Sequence, residues 1–588
     1  MRILLLLFLC TTIVFNAQSQ EQEKDTVQTE VVEIITAFNP NIADAQKIKN
    51  NPKLEFSKKT EKKEMEYKIF SAPVASTFIP KSGVIKGIDV GVREKLYKNY
   101  VAAGYGNYNS PYLEAFFHSS NRFRNEFGVN VKYLASNNNI KDTELNSTFS
   151  NLYLDAFYKK EDRYFDWKVG LHTERNNYNW YGLPALDFSE PTINAIEEAQ
   201  QYNLVKASGE FTFNDSYIDY AKLYLSNFSD NFDSNEIRIN LNTKLDFPIY
   251  KIIRSYRNDD EISIKTNFEY LNGKFKRSYS DTTNVNYLIA TVSLEPSYSY
   301  KHKYVDVDSS LKVLYSIDSE NDANNFLLLP NITAKSAIYK QYASIYGGFS
   351  SDLHTNTFQS FAEENPFVSP TLFMTQTLEK SNFFIGFNGN ITNAITYNLK
   401  ASSKSEEDKP LFLRNNSKSD GFTTTQNNNE FLGYEYGNSF GVFYDDIKTT
   451  TLFAELAYEF SKFLSFNAQA KYSTFALTNA ASPWNLPSTE VAFTAKYKHY
   501  KWFATANIFY IDERTDVLYN AEFPSSFGGI QNLDAFVDVN LNGGYHFTSK
   551  LSAFLKINNL LNTQYQQFAN FDVQGFQVLG GITYKFDI

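Results

Sequence analysis

The strongest constraint on the fold is a two-residue alternation of apolar and polar side chains that recurs in strand-length segments from Val84 to the C-terminus. The segments TLFAELAYEF (Thr451 to Phe460) and FLSFNAQAKYS (Phe463 to Ser473) show it well, and a tight turn at Ser461-Lys462 joins them. The closing segment FQVLGGITYKFDI, from Phe576, alternates in the same way. Period-two alternation predicts β-strands with one apolar and one polar face.

The connections between these segments distinguish two kinds of all-β protein. A soluble sandwich mixes turn types at both ends, whereas here tight turns alternate with long polar loops, as in a membrane barrel. Lipid offers the backbone no hydrogen-bond partner, so a spanning sheet must close on itself. We therefore predict a large antiparallel transmembrane β-barrel of about 22 strands over residues 84–588. The segment GVIKGIDVGV, Gly83 to Val92, is a candidate first strand, and EYGNSFGVFYDD, Glu435 to Asp446, is assigned to a long loop from Ser405 to Asp446.

Composition supports the same class of fold. The chain has 52 Phe and 41 Tyr, against 4 Trp and 3 Met, and these residue types favour strands. A net charge of −10 offers no basic field for phosphate backbones, so we expect no nucleic-acid partner. Beyond the N-terminal leader, no apolar run approaches the ~20 residues that a membrane-spanning helix needs.

The N-terminal region has a different character. MRILLLLFLCTTIVFNAQSQ has a basic start, an apolar run and small residues at Ala17 and Ser19, which is typical of a cleaved signal peptide over residues 1–19. Cys10 is expected to leave with it, so no disulfide or thiolate metal site is expected. Residues 20–83 are rich in Lys and Glu and carry four prolines, which predicts an extended periplasmic arm or a reduced plug.

Two stretches resemble a known family, the TonB-dependent outer-membrane receptors. LKINNLLNTQYQQ, Leu555 to Gln567, followed by GFQVLGGITYKF, is similar to the C-terminal end of the family's barrel. EVVEIITAF, Glu30 to Phe38, is similar to the acidic and β-branched stretch that precedes the plug domain in many members. The resemblance covers the barrel. Residues 20–83 are too few for the family's plug, and its proline-glycine and arginine-glycine signatures are not matched.

Two candidate binding segments follow. The early stretch could pair as an added strand with a periplasmic energising protein, or belong to a residual plug; its residues are Glu30, Val31, Val32, Glu33, Ile34 and Ile35. In NNYNWYGLP, the rings of Tyr178, Trp180 and Tyr181 could stack on a sugar or apolar ligand, although we favour a place in the outer aromatic girdle. Nearby acids, Asp187, Glu190, Glu197 and Glu198, would favour a cationic or metal-complexed ligand, and equally suit a solvated surface.

The sequence carries no enzyme or cofactor motif: no G-x-S-x-G, no H-E-x-x-H, no phosphate-binding glycine loop and no EF-hand spacing. DSENDANN, Asp318 to Asn325, could offer oxygens to a hard cation, but a solvated loop tip is the preferred interpretation. We therefore expect a non-enzyme without a cofactor.

The leading functional hypothesis is a TonB-dependent-receptor-like protein of the outer membrane that takes up a scarce nutrient. The alternative is a plugless barrel that serves as a structural or accessory subunit of an outer-membrane machine, and an outer-membrane enzyme is a distant third. The expected partners are outer-membrane lipid, a periplasmic energising protein or surface lipoprotein, and an unidentified small-molecule ligand.

Overall fold

The computed structural model describes residues 96–587, except 122–123, 249–260, 282, 427–428 and 521. Within these ranges, 22 long strands form one sheet. They are β1 Asn99–Gly106, β2 Ser110–Ser120, β3 Asn125–Ser136, β4 Phe149–Glu161, β5 Phe165–Asn179, β6 Ala199–Phe213, β7 Ile218–Asp230, β8 Asn235–Pro248, β9 Glu261–Phe275, β10 Val285–Lys301, β11 Asp306–Asp318, β12 Ala323–Tyr339, β13 Ala343–Thr355, β14 Gln376–Thr392, β15 Ile395–Arg414, β16 Phe440–Ser461, β17 Leu464–Leu477, β18 Thr489–Lys498, β19 Trp502–Ile511, β20 Phe536–His546, β21 Leu551–Asn558 and β22 Gln577–Phe586.

Each strand pairs antiparallel with its neighbours in chain order, and the last pairs with the first. The register of the closing pair runs from Asn99 opposite Phe586 to Gly106 opposite Leu579. The sheet is therefore a closed barrel, as the alternation predicts. Closure removes both edges, so the spanning part of the sheet leaves no row of unpaired backbone groups toward lipid.

The two faces of the hairpin β16–β17 show how the barrel meets its surroundings. Its outward side chains are exposed and apolar, among them Leu452, Leu456 and Tyr472. On the inward face, Asn467 and Gln469 donate hydrogen bonds of 2.9 and 3.0 Å to the Glu455 carboxylate. Apolar side chains thus point outward and polar ones into the lumen, which confirms the predicted arrangement.

Connections at the two ends of the barrel differ in length. At one end, the described turns have two to four residues; at the other, eight of the eleven loops have nine or more. Outer-membrane barrels have short periplasmic turns and longer extracellular loops, so this second end is the outer one. We number its loops 1 to 11: 107–109, 137–148, 180–198, 231–234, 276–284, 319–322, 356–375, 415–439, 478–488, 512–535 and 559–576.

The outer loops contain the remaining regular structure. Helix α1, Glu190–Ile193, lies in loop 3 and helix α2, Phe358–Glu364, in loop 7. Short hairpins form in loop 8 (Thr425–Gln426 with Asn429–Glu430), loop 10 (Arg514–Tyr519 with Phe527–Leu533) and loop 11 (Gln566–Phe568 with Phe571–Asp572). Neither helix in the described ranges is long and apolar enough to cross a membrane.

The structure corrects one predicted loop. Phe440 to Asp446 do not belong to a loop but begin β16, and they pair with β15 as far as Arg414 opposite Phe440. The polar run Ser405 to Lys409, also assigned to that loop, belongs to β15. Beside it, the Lys404 ammonium forms ion pairs with the Glu379 carboxylate at 2.8 Å and the Glu406 carboxylate at 3.2 Å. In the sequence, a run of charged residues that pair with one another on an inward face cannot be distinguished from a solvated loop. The segment Gly83 to Val92 lies outside the described residues, and the ring of 22 strands begins at Asn99.

Candidate functional site

Three outer loops meet at one group of aromatic rings. Tyr181 of loop 3 contacts Phe571 of loop 11, with ring centroids 5.0 Å apart, and Phe367 of loop 7, with centroids 5.7 Å apart. Phe367 and Phe571 stack, with centroids 3.8 Å apart. The Tyr181 hydroxyl also donates a 2.8 Å hydrogen bond to the Asp572 carbonyl. Offset and edge-on pairs of this kind contribute about 0.5–1.5 kcal/mol each beyond their burial.

The three loops start far apart on the barrel. Loop 3 follows β5, loop 7 follows β13 and loop 11 follows β21, so the steps around the ring are eight, eight and six strands. These starting points divide the circumference into near thirds. Loops that rise from three sides can touch only by crossing the opening between them. The contact among Tyr181, Phe367 and Phe571 therefore closes the outer mouth, and we call it the three-loop contact.

Trp180 extends the three-loop contact toward loops 4 and 8. Its ring is completely buried and packs against Phe232 and Tyr434, at centroid distances of 5.4 and 5.2 Å. Its indole Nε1 donates a 3.1 Å hydrogen bond to the Phe367 carbonyl. A buried indole with a satisfied N–H fixes both position and orientation, so Trp180 joins loops 3, 4, 7 and 8.

Helix α2 of loop 7 lies against the inner wall of the barrel. Phe358 packs on inward rings of β7 and β9, those of Phe228 and Phe275, at centroid distances of 5.1 and 5.0 Å. The buried Glu236 carboxylate of β8 accepts a 2.7 Å hydrogen bond from the Phe358 N–H and another of 2.7 Å from the Tyr287 hydroxyl. A carboxylate at the first turn of a helix satisfies its free N–H groups. Loop 7 is therefore fastened to the wall formed by β7 to β10.

A buried ion pair joins loops 5 and 8. The Glu435 carboxylate is fully buried and bonds the Arg277 guanidinium and the Lys418 ammonium, the latter at 2.6 Å. The Lys418 ammonium also lies 4.8 Å from the centre of the Tyr279 ring. A buried carboxylate is tolerated when it is paired and hydrogen-bonded. Separating loop 8 from loop 5 would therefore break the ion pair between Glu435 and Arg277.

Loop 10 is attached to the barrel by a second set of buried charges. The Arg414 guanidinium of β15 donates to the Val517 carbonyl at 2.9 Å, and the Asp516 carboxylate accepts a hydrogen bond from the Arg414 backbone N–H at 3.3 Å. Burial raises the pKa of Asp516. The Arg514 guanidinium reaches loop 11, where it donates to the Gln566 carbonyl at 2.6 Å.

Ser319, Asn321 and Asp322 at the tip of loop 6 are exposed, as predicted for DSENDANN, but two of its acidic residues tie the loop to loop 7. Asp318 is buried and accepts a 3.0 Å hydrogen bond from the Thr375 hydroxyl. The Glu320 carboxylate accepts a 3.2 Å hydrogen bond from the Met374 N–H, and burial raises its pKa to about 7. No group of His, Cys, Asp and Glu within the described ranges is arranged to hold a metal ion.

The structure places the predicted ring residues inside the closure. Trp180 is fully buried and Tyr178 packs against the same cluster, with Tyr202 6.4 Å away between centroids. The preferred girdle interpretation is therefore wrong for Trp180, because its ring faces protein and not lipid. Ligand stacking by Tyr178, Trp180 and Tyr181 stays a prediction. The partner segment Glu30–Ile35 lies outside the described residues.

Sequence reasoning missed the other residues of the closure. Phe358, Phe367, Phe571, Glu236 and Glu435 have no motif, and only Glu435 lies in a segment that the sequence analysis assigns to a loop. A signal was nevertheless present, because FQSFAEENPFVSPTLFM in loop 7 is too apolar for a solvated loop. The arrangement acts as a closure: packed aromatic rings and buried ion pairs close one end of a wide barrel.

The fold is shared with solved outer-membrane receptors. The FrpB iron transporter from Neisseria meningitidis matches with a TM-score of 0.62 at 9% identity, over 84% of this chain and 82% of that one. The ferripyoverdine receptor of the outer membrane of Pseudomonas aeruginosa matches with a TM-score of 0.60 at 12% identity, over 83% and 72%. The ferric enterobactin receptor of Pseudomonas aeruginosa matches with a TM-score of 0.57 at 9% identity, over 83% and 81%.

At these identities the likeness shows the fold. No protein-family model matches the chain, and neither does any curated protein. The closed 22-strand barrel with its apolar outer face is that of an outer-membrane protein.

Proposed function

Because the chain has the barrel fold of the TonB-dependent outer-membrane receptors, we propose that it is an uptake receptor that carries a scarce nutrient through a gated lumen. The observation that supports this most is the three-loop contact. A 22-strand barrel encloses a wide lumen, which must be closed at rest. Loops that close it by side-chain packing, without covalent links, can open when a ligand competes for the same rings.

The rings of Tyr178, at the end of β5, and of Trp180 and Tyr181 in loop 3 are the proposed ligand contacts. When loop 3 separates from loops 7 and 11, Tyr178, Trp180 and Tyr181 present three aromatic faces beside a lumen wall. Aromatic faces bind planar apolar groups and sugars, and they attract cations. The solved neighbours bind ferripyoverdine and enterobactin, so iron complexes are the first substrate class to examine.

Energy input is assigned to the N-terminal region. Glu30, Val31, Val32, Glu33, Ile34 and Ile35 are proposed to pair as an added strand with a periplasmic energising protein, because an exposed extended edge suffices for such pairing. Residues 20–83 are proposed as a periplasmic arm that obstructs the lumen from inside. Replacing Val32 and Ile34 by proline removes two backbone donors. We expect this variant to lose energised uptake while the barrel still assembles.

A reversible cross-link tests the gating proposal. The only cysteine of the sequence is Cys10, within the predicted leader, so the pair Tyr181→Cys and Phe571→Cys can be oxidised to a disulfide without competing thiols. Cells that carry the oxidised pair should fail to accumulate radiolabelled iron from a panel of ferric complexes, and reduction should restore uptake. Each single-cysteine variant is the matched control. Unchanged uptake in cells that carry the disulfide-linked protein would contradict the gating proposal.

An accessory subunit of an outer-membrane machine is the second candidate. The buried ion pairs of Glu435 with Arg277 and Lys418 favour it, because a mouth fastened by unexposed charges also suits a barrel that conducts nothing. Deleting residues 20–82 in the Phe571→Ala background, in which the three-loop contact is also weakened, separates the two functions. A receptor should then leak small solutes in liposomes, whereas an accessory subunit should lose a co-purifying protein with no change in leak. Enzyme activity is the least supported class.

A further inference from the structure

The two strands of the loop 10 hairpin have different environments. The first strand is fixed: Arg514, Asp516 and Val517 are buried against β15 and loop 11. The turn and the second strand leave three large apolar side chains uncovered, namely Phe523 (47% exposed), Phe527 (58%) and Ile530 (45%), and we call this part the outer face of loop 10. All three lie in an extracellular loop, beyond the lipid-facing surface of the barrel. Exposed apolar clusters in aqueous regions mark interaction sites.

Acidic residues surround this apolar face. Glu513, Glu522 and Asp534 of the same loop are exposed, and the only basic residue of loop 10, Arg514, is buried. The wider surroundings have the same sign, since the eleven outer loops contain 21 Asp and Glu against five Lys and Arg, a difference of −16. A partner for this face must therefore bring positive charge.

The backbone of loop 10 is also open to a neighbour. Strand Phe527–Leu533 pairs with Arg514–Tyr519 on one side and with no further strand in the part of the chain that the structure describes. Gly529 has a positive φ of 151°, and a side chain at this position would meet nothing within 4 Å. Glycine in a strand allows another backbone to approach closely. The free edge beside the apolar face is thus accessible to an extended chain.

We propose that the outer face of loop 10 binds a cell-surface partner protein through an extended segment that carries apolar side chains flanked by lysine or arginine. The apolar side chains cover Phe523, Phe527 and Ile530, and the basic ones pair with Glu513, Glu522 and Asp534. Because the first strand of the hairpin is held by buried hydrogen bonds to β15 and loop 11, the site is ordered before binding, which reduces the entropy lost on association. The proposal depends on the orientation of the barrel and not on uptake, so either can fail without the other.

Site-specific photocross-linking in intact cells is the first test. Phe527 is replaced by p-benzoylphenylalanine, and the matched control carries the same group at Tyr304, an exposed aromatic residue of a periplasmic turn. We expect one cross-linked protein at Phe527, with the linked peptide mapped to a segment that contains Lys or Arg, and none of it at Tyr304. A product with lipid, with a second copy or with the same chain, or no product, would overturn the proposal.

A binding measurement on the purified full-length protein is the second test. The probes are a fluorescein-labelled peptide of five Val-Lys repeats and a matched peptide of five Val-Glu repeats. We expect the lysine peptide to bind at least about tenfold tighter. Two triple variants should each remove most of that difference in affinity. One is Glu513→Gln with Glu522→Gln and Asp534→Asn, and the other is Phe523→Ser with Phe527→Ser and Ile530→Ser. Equal binding of the two peptides, or an unchanged preference in both variants, contradicts the proposal; heat-modifiability on gels shows that each variant is folded.

Discussion

The rings of Phe367 and Phe571 stack with their centroids 3.8 Å apart, although their loops leave the barrel eight strands from each other. A contact over that span exists only because both loops turn inward over the mouth. It joins two sectors of the wall that the sheet itself connects only through the intervening strands.

Removing one ring should open the mouth. Phe571→Ala deletes contacts to Tyr181, Phe367 and Phe440, and a fully buried Phe→Ala change costs about 3–5 kcal/mol. We expect faster hydrogen exchange in loops 3, 7 and 11 and raised sensitivity of cells to large antibiotics. The matched control is Phe422→Ala, because Phe422 of loop 8 is 66% exposed. Equal exchange in both variants would show that the contact does not hold the loops.

A neutral substitution of Glu435 should break the ion pair between loops 5 and 8. Glu435→Gln keeps the shape but removes the charge that Arg277 and Lys418 share. Each charged hydrogen bond lost costs about 1.5–3 kcal/mol, so limited proteolysis should cut residues 415–439 sooner. Glu430→Gln changes an exposed carboxylate of the same loop and should leave the cutting rate unaltered. Similar rates for the two variants would argue against the clamp.

A positive charge should destabilise the barrel on its outward face and be tolerated on its inward face. Leu456→Arg places a cation on the lipid-facing surface of β16, where the loss of stability reaches about 2–4 kcal/mol at the bilayer midplane. Asn467→Lys places one on the inward face next to Glu455, where water and a carboxylate are available. We expect Leu456→Arg alone to reduce the folded, heat-modifiable form in membranes. The reverse order would mean that the faces are assigned incorrectly.

The packing of loop 6 on loop 7 should weaken as the pH rises. Burial raises the pKa of Glu320 from 4.5 to about 7, so the folded loop prefers the protonated carboxyl. The stabilisation is fully present below about pH 4.5, falls between pH 4.5 and about 7, and stays constant above that. Hydrogen exchange of residues 371–375, corrected for its intrinsic pH dependence, should therefore be faster at pH 8 than at pH 5. Glu320→Gln should abolish the difference, and Asp322→Asn, an exposed neighbour, should retain it.

The predictable part of this structure is the part that local pattern controls. The hairpin at Ser461-Lys462 and the outward placement of Leu452, Leu456 and Tyr472 follow from alternation alone. Prediction failed where the environment of a polar residue was not local. Ser405 to Lys409 read as loop because nothing in the sequence shows that Lys404 and Glu406 pair inside a barrel.

The sequence by itself determined that the chain forms a closed membrane barrel of about 22 strands, because lipid demands complete backbone pairing and each strand must carry its own apolar face. Only the tertiary structure decided how the outer mouth is closed. Tyr181 donates to the carbonyl of Asp572, a residue 391 positions away, and Trp180 donates to Phe367, 187 positions away. Contacts of that length depend on where the barrel places each loop, and no local pattern in a loop records the position of another.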